Sequence, residues 1–223
     1  MIGASDDDKF RNAWELPRKA VEFSAPIGVG RFPVTFQEWD LYTAECLEAY
    51  SPPDYGRGRG RIPVTSINWL DAQRYLMWLS AKWKRAYRLL TDAEWEYCCR
   101  AGGRDVFNTG SQITLSQANY LYSESGEKVG IGRPSEVGGY APNAFGLYDM
   151  HGNVAELTAD AWTASPGETS NRVGIPEFVA IRGGAWDYPA RLLRSSYRDR
   201  IAVDRRLDNV GFRVAADDGD SSL

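Results

Sequence analysis

A glycine-bracketed segment near the carboxyl end, residues 182–215, constrains the fold more than any other stretch of the chain. It begins with Arg-Gly-Gly at 182–184 and ends with Val-Gly-Phe-Arg-Val at 210–214. Glycine is used where the backbone takes a positive φ or approaches another segment closely, and the alternating apolar residues around Phe212 are typical of a half-buried strand. The middle follows neither helical nor strand periodicity and contains no cysteine, histidine or lysine. We therefore predict a loop surface held on a fixed frame, where binding sites concentrate.

Three helix starts carry capping boxes, in which a polar side chain and an acidic side chain three residues later satisfy the first backbone N–H groups. The pairs are Thr35 with Glu38, Asn68 with Asp71, and Thr91 with Glu94. They predict helices over about 36–50 and 68–84, and a shorter third helix that Gly102 and Gly103 end. Apolar residues at helical spacing predict an inner face for the second helix, made of Trp69, Ala72, Tyr75, Leu76, Leu79 and Trp83.

The remainder of the chain is loop-rich. From about residue 104 to 179, clusters of Gly, Asn, Ser and Pro interrupt the apolar pattern, which indicates ordered loops with short strands. No linker or internal repeat divides the chain. We predict one α+β domain over residues 21–216, preceded by an N-terminal extension over 1–20 and followed by a disordered tail over 217–223.

Composition excludes several classes of protein. The chain has 26 Lys and Arg against 30 Asp and Glu, a net charge of −4, whereas general nucleic-acid binders are usually basic. No apolar run reaches the roughly 18 residues of a membrane span, and the first residues lack the basic and apolar regions of a signal peptide. We expect a cytoplasmic protein that is not a general nucleic-acid binder and has no membrane span.

The few thiols and the single imidazole limit the chemistry of the chain. The cysteines are Cys46, Cys98 and Cys99, an odd count with an adjacent pair, which fits neither a disulfide framework nor zinc-binding spacing. A reducing compartment fits these residues best. Cys98 and Cys99 are predicted to fill the core, and His151, which has no partner set for catalysis, is predicted to be a structural loop residue.

Several motifs occur together in the order found in one family. They are GRFPVT at 30–35, PVTSINWLDA at 63–72, YRLLTDAEWEY at 87–97, PNAFGLYDMHGNV at 142–154, RGG at 182–184 and GFR at 211–213. Over about residues 22–216 the chain thus resembles the formylglycine-generating enzyme, or sulfatase-modifying factor, family. The resemblance implies a variant of the C-type lectin fold with a small twisted antiparallel sheet, two main helices and extensive ordered loops.

The resemblance also implies a loss of catalysis. Catalytic members of the family hold copper with two cysteines shortly after Arg-Gly-Gly, because soft thiolates suit Cu(I). Those positions correspond to Tyr188 and Leu193 here, and the Ser that usually follows the motif is Ala185. A related branch uses iron held by three histidines, which a chain with one histidine cannot supply. We therefore predict that the chain is not an enzyme and requires no cofactor.

A second group that shares the fold suggests what the rebuilt surface does. In the variable proteins of diversity-generating retroelements, template-directed mutation alters codons between Arg-Gly-Gly and Gly-Phe-Arg. By this resemblance the segment 187–209 binds a protein or another macromolecular ligand. Twelve residues of this segment are of the amino-acid types that such mutated codons encode. They are Asp187, Tyr188, Ala190, Leu192, Tyr197, Asp199, Ile201, Ala202, Val203, Leu207, Asp208 and Asn209.

Two alternatives to this function stay open. One is a fixed-specificity regulatory or structural module of the same family. The other is a formylglycine-generating oxidase, against which the missing cysteines argue. A hydrolase built on Ser195 and Ser196 is excluded, because neither a histidine nor a lysine follows His151 to serve as the base.

The loop at 149–156 resembles the calcium loop of the family. Ca²⁺ takes six to eight oxygens, often carboxylates mixed with backbone carbonyls. By the resemblance, the side chains of Asp149 and Glu156 and the carbonyls of Gly152 and Val154 form a structural Ca²⁺ site. The alternative is a metal-free turn that the two acidic residues stabilise.

The arginines of the 182–215 segment have two interpretations. Guanidinium groups bind carboxylate, phosphate or aromatic partners, so Arg191, Arg194, Arg198 and Arg213 could contact a ligand. Alternatively they pair with carboxylates of the chain itself and order the segment, which we favour for most of them. Exposed aromatic residues are the better candidates for binding, whereas Trp186, next to Arg-Gly-Gly, is predicted to lie in the core.

Overall fold

A computed structural model describes residues 1–168 and 174–217 of the chain. Of the tail predicted over 217–223, Asp217 ends a strand, and the other residues lie outside the described part. Two short 3-10 turns, Ala13–Glu15 and Ala190–Leu193, accompany the helices and strands given below. No helix in the described ranges has both the length and the apolar character needed to cross a membrane.

The three predicted helices form, each with its capping box. They are α1 (Phe36–Glu45), α2 (Trp69–Trp83) and α3 (Asp92–Arg100). Helix α1 ends before the predicted residue 50, because the chain turns at Cys46 and the carbonyl of Tyr50 accepts a hydrogen bond from the indole of Trp39 at 2.9 Å. Helices α2 and α3 end as Lys84 and Ala101 take left-handed backbone conformations.

Two small sheets carry the strands. The first has the order β1 (Ile27–Val29), β7 (Ala215–Asp217), β2 (Tyr87–Arg88) and is antiparallel. The second has the order β5 (Arg198–Ala202), β4 (Phe178–Arg182), β3 (Ala155–Ala161), β6 (Val210–Phe212). Strands β3 and β6 are parallel, so the second sheet is mixed. The α+β class is thus confirmed, with two sheets among the described residues in place of one antiparallel sheet.

The main core is built from aromatic residues between α1, α2 and β6. Trp39 of α1 stacks on Tyr75 of α2 with 5.3 Å between ring centroids, and Phe212 of β6 meets both rings edge-on. The predicted inner face of α2 holds for Tyr75 and its neighbours, but Trp83 is 64% exposed because the last turn of α2 extends beyond this core. The two helices therefore position the end of the 182–215 segment.

The N-terminal residues, predicted as an extension over 1–20, pack against the domain. Ile2 forms a bridge with Lys19, and the backbone N–H of Gly3 donates to Glu96 of α3 at 2.8 Å. Arg100 of α3 donates to the carbonyl of Gly3 at 3.1 Å. This N-terminal segment (residues 1–20) is therefore a structural part of the domain.

Candidate functional site

The segment 187–209, here called the display segment, leaves β4 through a tight glycine turn. Gly183 and Gly184 both have a positive φ, of 88° and 69°. A Cβ atom at Gly184 would lie 2.6 Å from the carbonyl oxygen of Leu192, closer than atoms in contact allow. Only glycine fits such a position, since other residues are strained at positive φ and would also collide here. The turn therefore fixes where the display segment begins.

Two buried arginines join β4 and the display segment to α3. Arg182 Nε lies 2.8 Å from Asp92 Oδ1, and its Nη2 lies 2.5 Å from Glu96 Oε2. Arg198, opposite Arg182 in the β4–β5 pair, lies 2.7 Å from Asp92 Oδ2. Removing one partner of a buried pair typically costs about 3–5 kcal/mol, because the other charge is left without compensation. Helix α3 therefore holds β4 and β5 together through charge.

A third buried arginine joins the display segment to the N-terminal segment. Arg194 lies 2.6 Å from Asp8 Oδ2 and 2.6 Å from Glu15 Oε2, and it donates to the carbonyl of Phe10 at 2.9 Å. Ser196 donates to the same carboxylate of Glu15 at 2.7 Å. This serine is buried, and its hydroxyl group is held by Glu15. The N-terminal segment thus supplies the counter-charges for the middle of the display segment.

A fourth buried arginine closes the frame after the display segment. Arg213 Nη2 lies 2.8 Å from Glu156 Oε1 and donates to the carbonyls of Gly30 and Tyr148. We call Arg182, Arg194, Arg198 and Arg213 the arginine frame. Internal pairing is therefore the correct interpretation for Arg194, Arg198 and Arg213. Arg191, the fourth arginine considered from the sequence, is half-buried and has no ion pair within the described residues.

The predicted ligand-binding residues divide by exposure. Leu207 is 36% exposed. Seven others are partly exposed: Asp187, Tyr188, Leu192, Asp199, Ala202, Val203 and Asp208. These eight residues could meet a ligand without a change of fold.

The other four predicted ligand-binding residues are buried, which corrects their placement on the surface. Ile201 pairs with Val179 in the β4–β5 ladder and belongs to the main core. Ala190 packs in a small cluster below the 3-10 turn. Tyr197 is buried beside Asp199, to which its hydroxyl donates at 3.4 Å, and Asn209 is buried where its amide donates to Asp187 at 3.0 Å. Because the residues show no strand periodicity here, inward-facing and outward-facing positions could not be separated from the sequence.

A loop that the sequence analysis did not connect to the site lies against the display segment. Arg57, from the loop 51–61, stacks over Trp186 at 4.8 Å and over Tyr55 at 5.3 Å, and its guanidinium lies 2.7 Å from Asp208. Tyr55 is 60% exposed, whereas Trp186 is buried as predicted. Together with Leu207 these residues form an aromatic and cationic rim. The three Gly-Arg steps of this loop, at 56–61, were the only signal in the sequence.

The positions that correspond to the cysteines of catalytic relatives carry no thiol. Leu193 is fully buried, and burial, with Asp199 and Asp187 nearby, raises the pKa of Tyr188 to about 12. Cys99 is fully buried, and its sulfur lies 3.8 Å from the ring nitrogens of His151. Burial raises the pKa of the Cys99 thiol to about 12, so the thiolate that Cu(I) prefers is disfavoured.

His151 is a structural residue, as predicted. Its Nδ1 lies 2.6 Å from the carbonyl oxygen of Leu193, and its Nε2 accepts from the backbone N–H of Asn108 at 3.1 Å. Since the carbonyl only accepts, Nδ1 carries the proton and the ring is neutral. Burial, which outweighs the hydrogen bond to Leu193, lowers the pKa of His151 to about 4. Both ring nitrogens are committed, so the imidazole is available neither as a base nor as a metal ligand.

The geometry of the predicted calcium loop does not fit a Ca²⁺ site. Both oxygens of Glu156 bind Arg213, and one also accepts from the indole of Trp95 at 2.8 Å. Asp149 has one oxygen bound to the N–H of Gly138 at 2.7 Å and a second, buried oxygen without a partner. Calcium binding through Asp149, Gly152, Val154 and Glu156 stays a prediction, which would require Glu156 to leave Arg213. No cluster of three or more His, Cys, Asp or Glu able to hold a metal occurs within the described ranges.

Comparisons with known proteins agree with this architecture. The structure of PvdO from Pseudomonas aeruginosa superimposes with a TM-score of 0.85 at 34% identity, covering 97% of this chain and 90% of that one. Treponema denticola variable protein 1 superimposes with a TM-score of 0.71, covering 96% of this chain and 90% of that one, but at 22% identity it shows the fold alone.

Sequence relatives are found among both active and inactive proteins. The formylglycine-generating enzyme of Mus musculus is 34% identical over 176 residues, which cover 71% of this chain and 45% of that protein. The inactive C-alpha-formylglycine-generating enzyme 2 of Bos taurus is 30% identical over 175 residues, covering 73% of this chain and 53% of that protein. The chain spans about half the length of these curated relatives. The family model of the sulfatase-modifying factor enzyme 1-like domain matches residues 2–218, and the chain therefore belongs to that family.

Proposed function

We propose that this chain is a non-catalytic binding protein whose ligand surface is the exposed part of the display segment together with the rim from loop 51–61. One observation carries the proposal: four buried arginines fix a loop surface that has no cysteine, histidine or lysine of its own. Binding loops are typically carried on a rigid frame that leaves their side chains exposed. Because the loop is already ordered in the free protein, binding a ligand costs less conformational entropy.

The same geometry argues against the oxidase alternative. The two thiol positions hold Tyr188 and Leu193, and burial raises the pKa of both Cys98 and Cys99 to about 12. A copper site of the family type needs two accessible thiolates close together. Neither the display segment nor the rim supplies one. The absence of catalysis is therefore part of the proposal.

The chemistry of the surface favours a macromolecular ligand. Tyr55, Arg57 and Tyr188 belong to the residue types that carry most of the energy in protein interfaces. Leu207 adds an exposed apolar group, and Asp208 is held in place by Arg57 at 2.7 Å. An aromatic and apolar centre with ordered charges at its edge is typical of protein recognition sites. We propose a folded protein as the ligand.

Diversification of the display segment by a retroelement is the narrower form of the proposal. Its support is the resemblance of the motifs that bracket the segment, together with the fold shared with Treponema denticola variable protein 1. Burial of Ala190, Tyr197, Ile201 and Asn209 restricts the substitutions these positions accept without loss of the fold. The positions that can vary freely are then those of the eight exposed or partly exposed residues. A fixed-specificity module of the same family is the alternative.

The first experiment tests the absence of catalysis. The purified chain, treated with Cu(I) under reducing conditions, is mixed with a cysteine-containing peptide, and oxygen uptake and bound copper are measured. The control is the same peptide with serine in place of cysteine. We expect no stoichiometric copper and equal, background oxygen uptake with both peptides. Copper bound at one equivalent, with uptake that depends on the peptide thiol, would overturn the proposal.

A second experiment separates diversified from fixed specificity. The DNA that flanks the gene is sequenced and searched for a near-copy of the codons for residues 186–212 and for a reverse transcriptase gene. A copy that differs mainly at adenines supports diversification and identifies the variable positions. The absence of both rejects diversification and leaves the fixed-specificity module.

The expected cytoplasmic location belongs to the proposal as well. Cys46, Cys98 and Cys99 are all free thiols, which suits a reducing compartment. Fractionation of the source cells with an antibody against the chain tests this expectation, and recovery of the protein outside the cytoplasmic fraction contradicts it.

A further inference from the structure

A separate cleft lies between the N-terminal segment and the loops that follow α3. Its volume is about 590 Å³, and of the predicted ligand-binding residues it includes only Ala190. Sites for small molecules typically have volumes of about 300–1,000 Å³. The cleft therefore has the size of a small-molecule site and is not an extension of the rim from loop 51–61.

The floor of the cleft is apolar and ordered. Phe107, Ile113, Tyr120 and Ala190 line it, and all four are buried members of one small hydrophobic cluster. No cysteine or histidine lines the cleft. A planar apolar group placed on this floor would remove further apolar surface from water, at roughly 25 cal/mol per Å².

Phe10 forms the outer wall of the cleft, and its backbone is held in position. Its ring is 46% exposed. Its N–H donates to Asp8 at 2.9 Å and its carbonyl accepts from Arg194 at 2.9 Å, while Asp8 is itself paired with Arg194 at 2.6 Å. The arginine frame thus anchors the residue that carries an exposed aromatic ring above an apolar floor. This pre-ordering lowers the entropy cost of binding a second ring against it.

Charged side chains of both signs surround the cleft. Lys9 and Arg191 contribute two positive charges to the lining, and Asp7 and Glu124 contribute two negative charges. The fifth charged residue, Asp8, shares the buried Arg194 with Glu15, so these three residues keep one net negative charge below the cleft. The lining therefore disfavours an anionic ligand and, with Lys9 and Arg191 beside its carboxylates, gives a cation no unopposed partner, whereas its aromatic rings favour stacking or edge-on contact with another ring.

We propose that this cleft binds a small, uncharged molecule with an aromatic ring, which is held between Phe10 and the floor of Phe107 and Tyr120. The site is independent of the macromolecular surface proposed above. It concerns binding alone, since the lining holds no thiol or imidazole to react with a ligand.

The test uses a fluorinated ring observed by ¹⁹F NMR. The probe is 5-fluoroindole, which is uncharged, and it is compared with 5-fluoroindole-3-acetate and 5-fluorotryptamine, which carry opposite charges. We expect saturable binding of the neutral probe and weaker binding of both charged probes. The variant Phe10→Ala should weaken the binding of 5-fluoroindole by about 2- to 10-fold, the range expected for loss of one aromatic contact.

A matched control and a blocking variant make the result specific. Phe145 is 47% exposed and lines a different groove of about 670 Å³, so Phe145→Ala removes an equally exposed ring elsewhere. Ser111→Trp places a bulky side chain at an exposed position of the cleft and should abolish binding. The thermal midpoint of each variant checks its fold. Absence of saturable binding, tighter binding of a charged probe, or an equal loss with Phe145→Ala would overturn the proposal.

Discussion

Acidification should destabilise this protein through its single histidine. The ring of His151 is buried and neutral, with Nδ1 against the carbonyl of Leu193 and Nε2 against the N–H of Asn108. Its pKa is lowered from 6.5 to about 4, chiefly by burial. Between these two pH values the unfolded chain binds a proton and the folded chain does not. The free energy of unfolding therefore falls as the pH is lowered from 6.5 towards 4.

The magnitude follows from the width of that window. Each pH unit is worth about 1.4 kcal/mol, so the contribution of His151 falls by about 3 kcal/mol across the window. This is a large part of the 5–15 kcal/mol that is typical of a folded domain. An opposing contribution comes from a partly buried carboxyl group, that of Asp160.

Asp160 acts in the opposite direction over nearly the same range. Burial raises its pKa from 3.8 to about 6, although the backbone N–H of Asp92 lowers it. The folded protein then binds a proton before the unfolded chain does, so this contribution to stability grows as the pH falls from 6 to 3.8. It also amounts to about 3 kcal/mol. The contributions of His151 and Asp160 to the free energy of unfolding of the wild type should therefore nearly cancel between about pH 6 and 4.5.

Conservative variants separate the two contributions. Asp160→Asn keeps an oxygen for the N–H of Asp92, and His151→Gln keeps a donor for Leu193 and an acceptor for Asn108. Urea unfolding is measured for wild type, Asp160→Asn and the double variant between about pH 7 and 4.5. Asp149, whose pKa burial also raises, is common to all three proteins and cancels in the differences.

Asp160→Asn should lose stability relative to the double variant, by about 2 kcal/mol between about pH 6.5 and 5. Because the chain has one histidine, its imidazole NMR signals need no assignment and should not titrate above about pH 5. Parallel stability profiles for Asp160→Asn and the double variant, or an imidazole that titrates near its ordinary pKa, would refute the reasoning.

Three further predictions concern the frame, the turn and the thiols. Arg194→Met should lower the free energy of unfolding by about 3–5 kcal/mol because it leaves buried carboxylates unpaired, whereas the exposed Arg200→Met should change it by less than about 1 kcal/mol; equal urea midpoints for the two variants would contradict this. Gly184→Ala combines a positive φ with a collision and should cost at least about 1–3 kcal/mol in thermal unfolding; a variant as stable as wild type would show that the turn relaxes. Native mass spectrometry after iodoacetamide at pH 8 should show slow labelling of Cys98 and Cys99, since burial raises both thiol pKa values to about 12; rapid labelling of all three cysteines would disprove their burial.

Local features of this fold could be predicted from the sequence. The capping boxes located all three helix starts, because a cap is decided by residues three positions apart. The glycine turn at 183–184 was also recognisable from its residues alone. Helix α1 was predicted too long, because its end depends on a tertiary hydrogen bond between Trp39 and Tyr50.

The candidate site depends on contacts that no local pattern reveals. Arg194 was expected to pair internally, but its partners Asp8 and Glu15 lie about 180 residues away, in a segment predicted to be an extension. Arg57 reaches Asp208 over 151 residues. Ile201 is buried because β5 pairs with β4. The sequence of β5 contains charged residues on both faces, so it does not show which face points inward.

The division of charge along the chain makes folding depend on the synthesis of residues 182–213. The carboxylates Asp8, Glu15, Asp92 and Glu156 are all translated before Arg182, and the arginines that neutralise them all lie at or after it. A ribosome that stops before Arg182 releases a chain in which four acidic groups would have to be buried without a counter-ion. Such a product cannot adopt the native core at an acceptable free energy. The segment from Arg182 to Arg213 is thus required before these upstream carboxylates can be buried, and chains truncated before Arg182 are expected to be substrates for proteolysis.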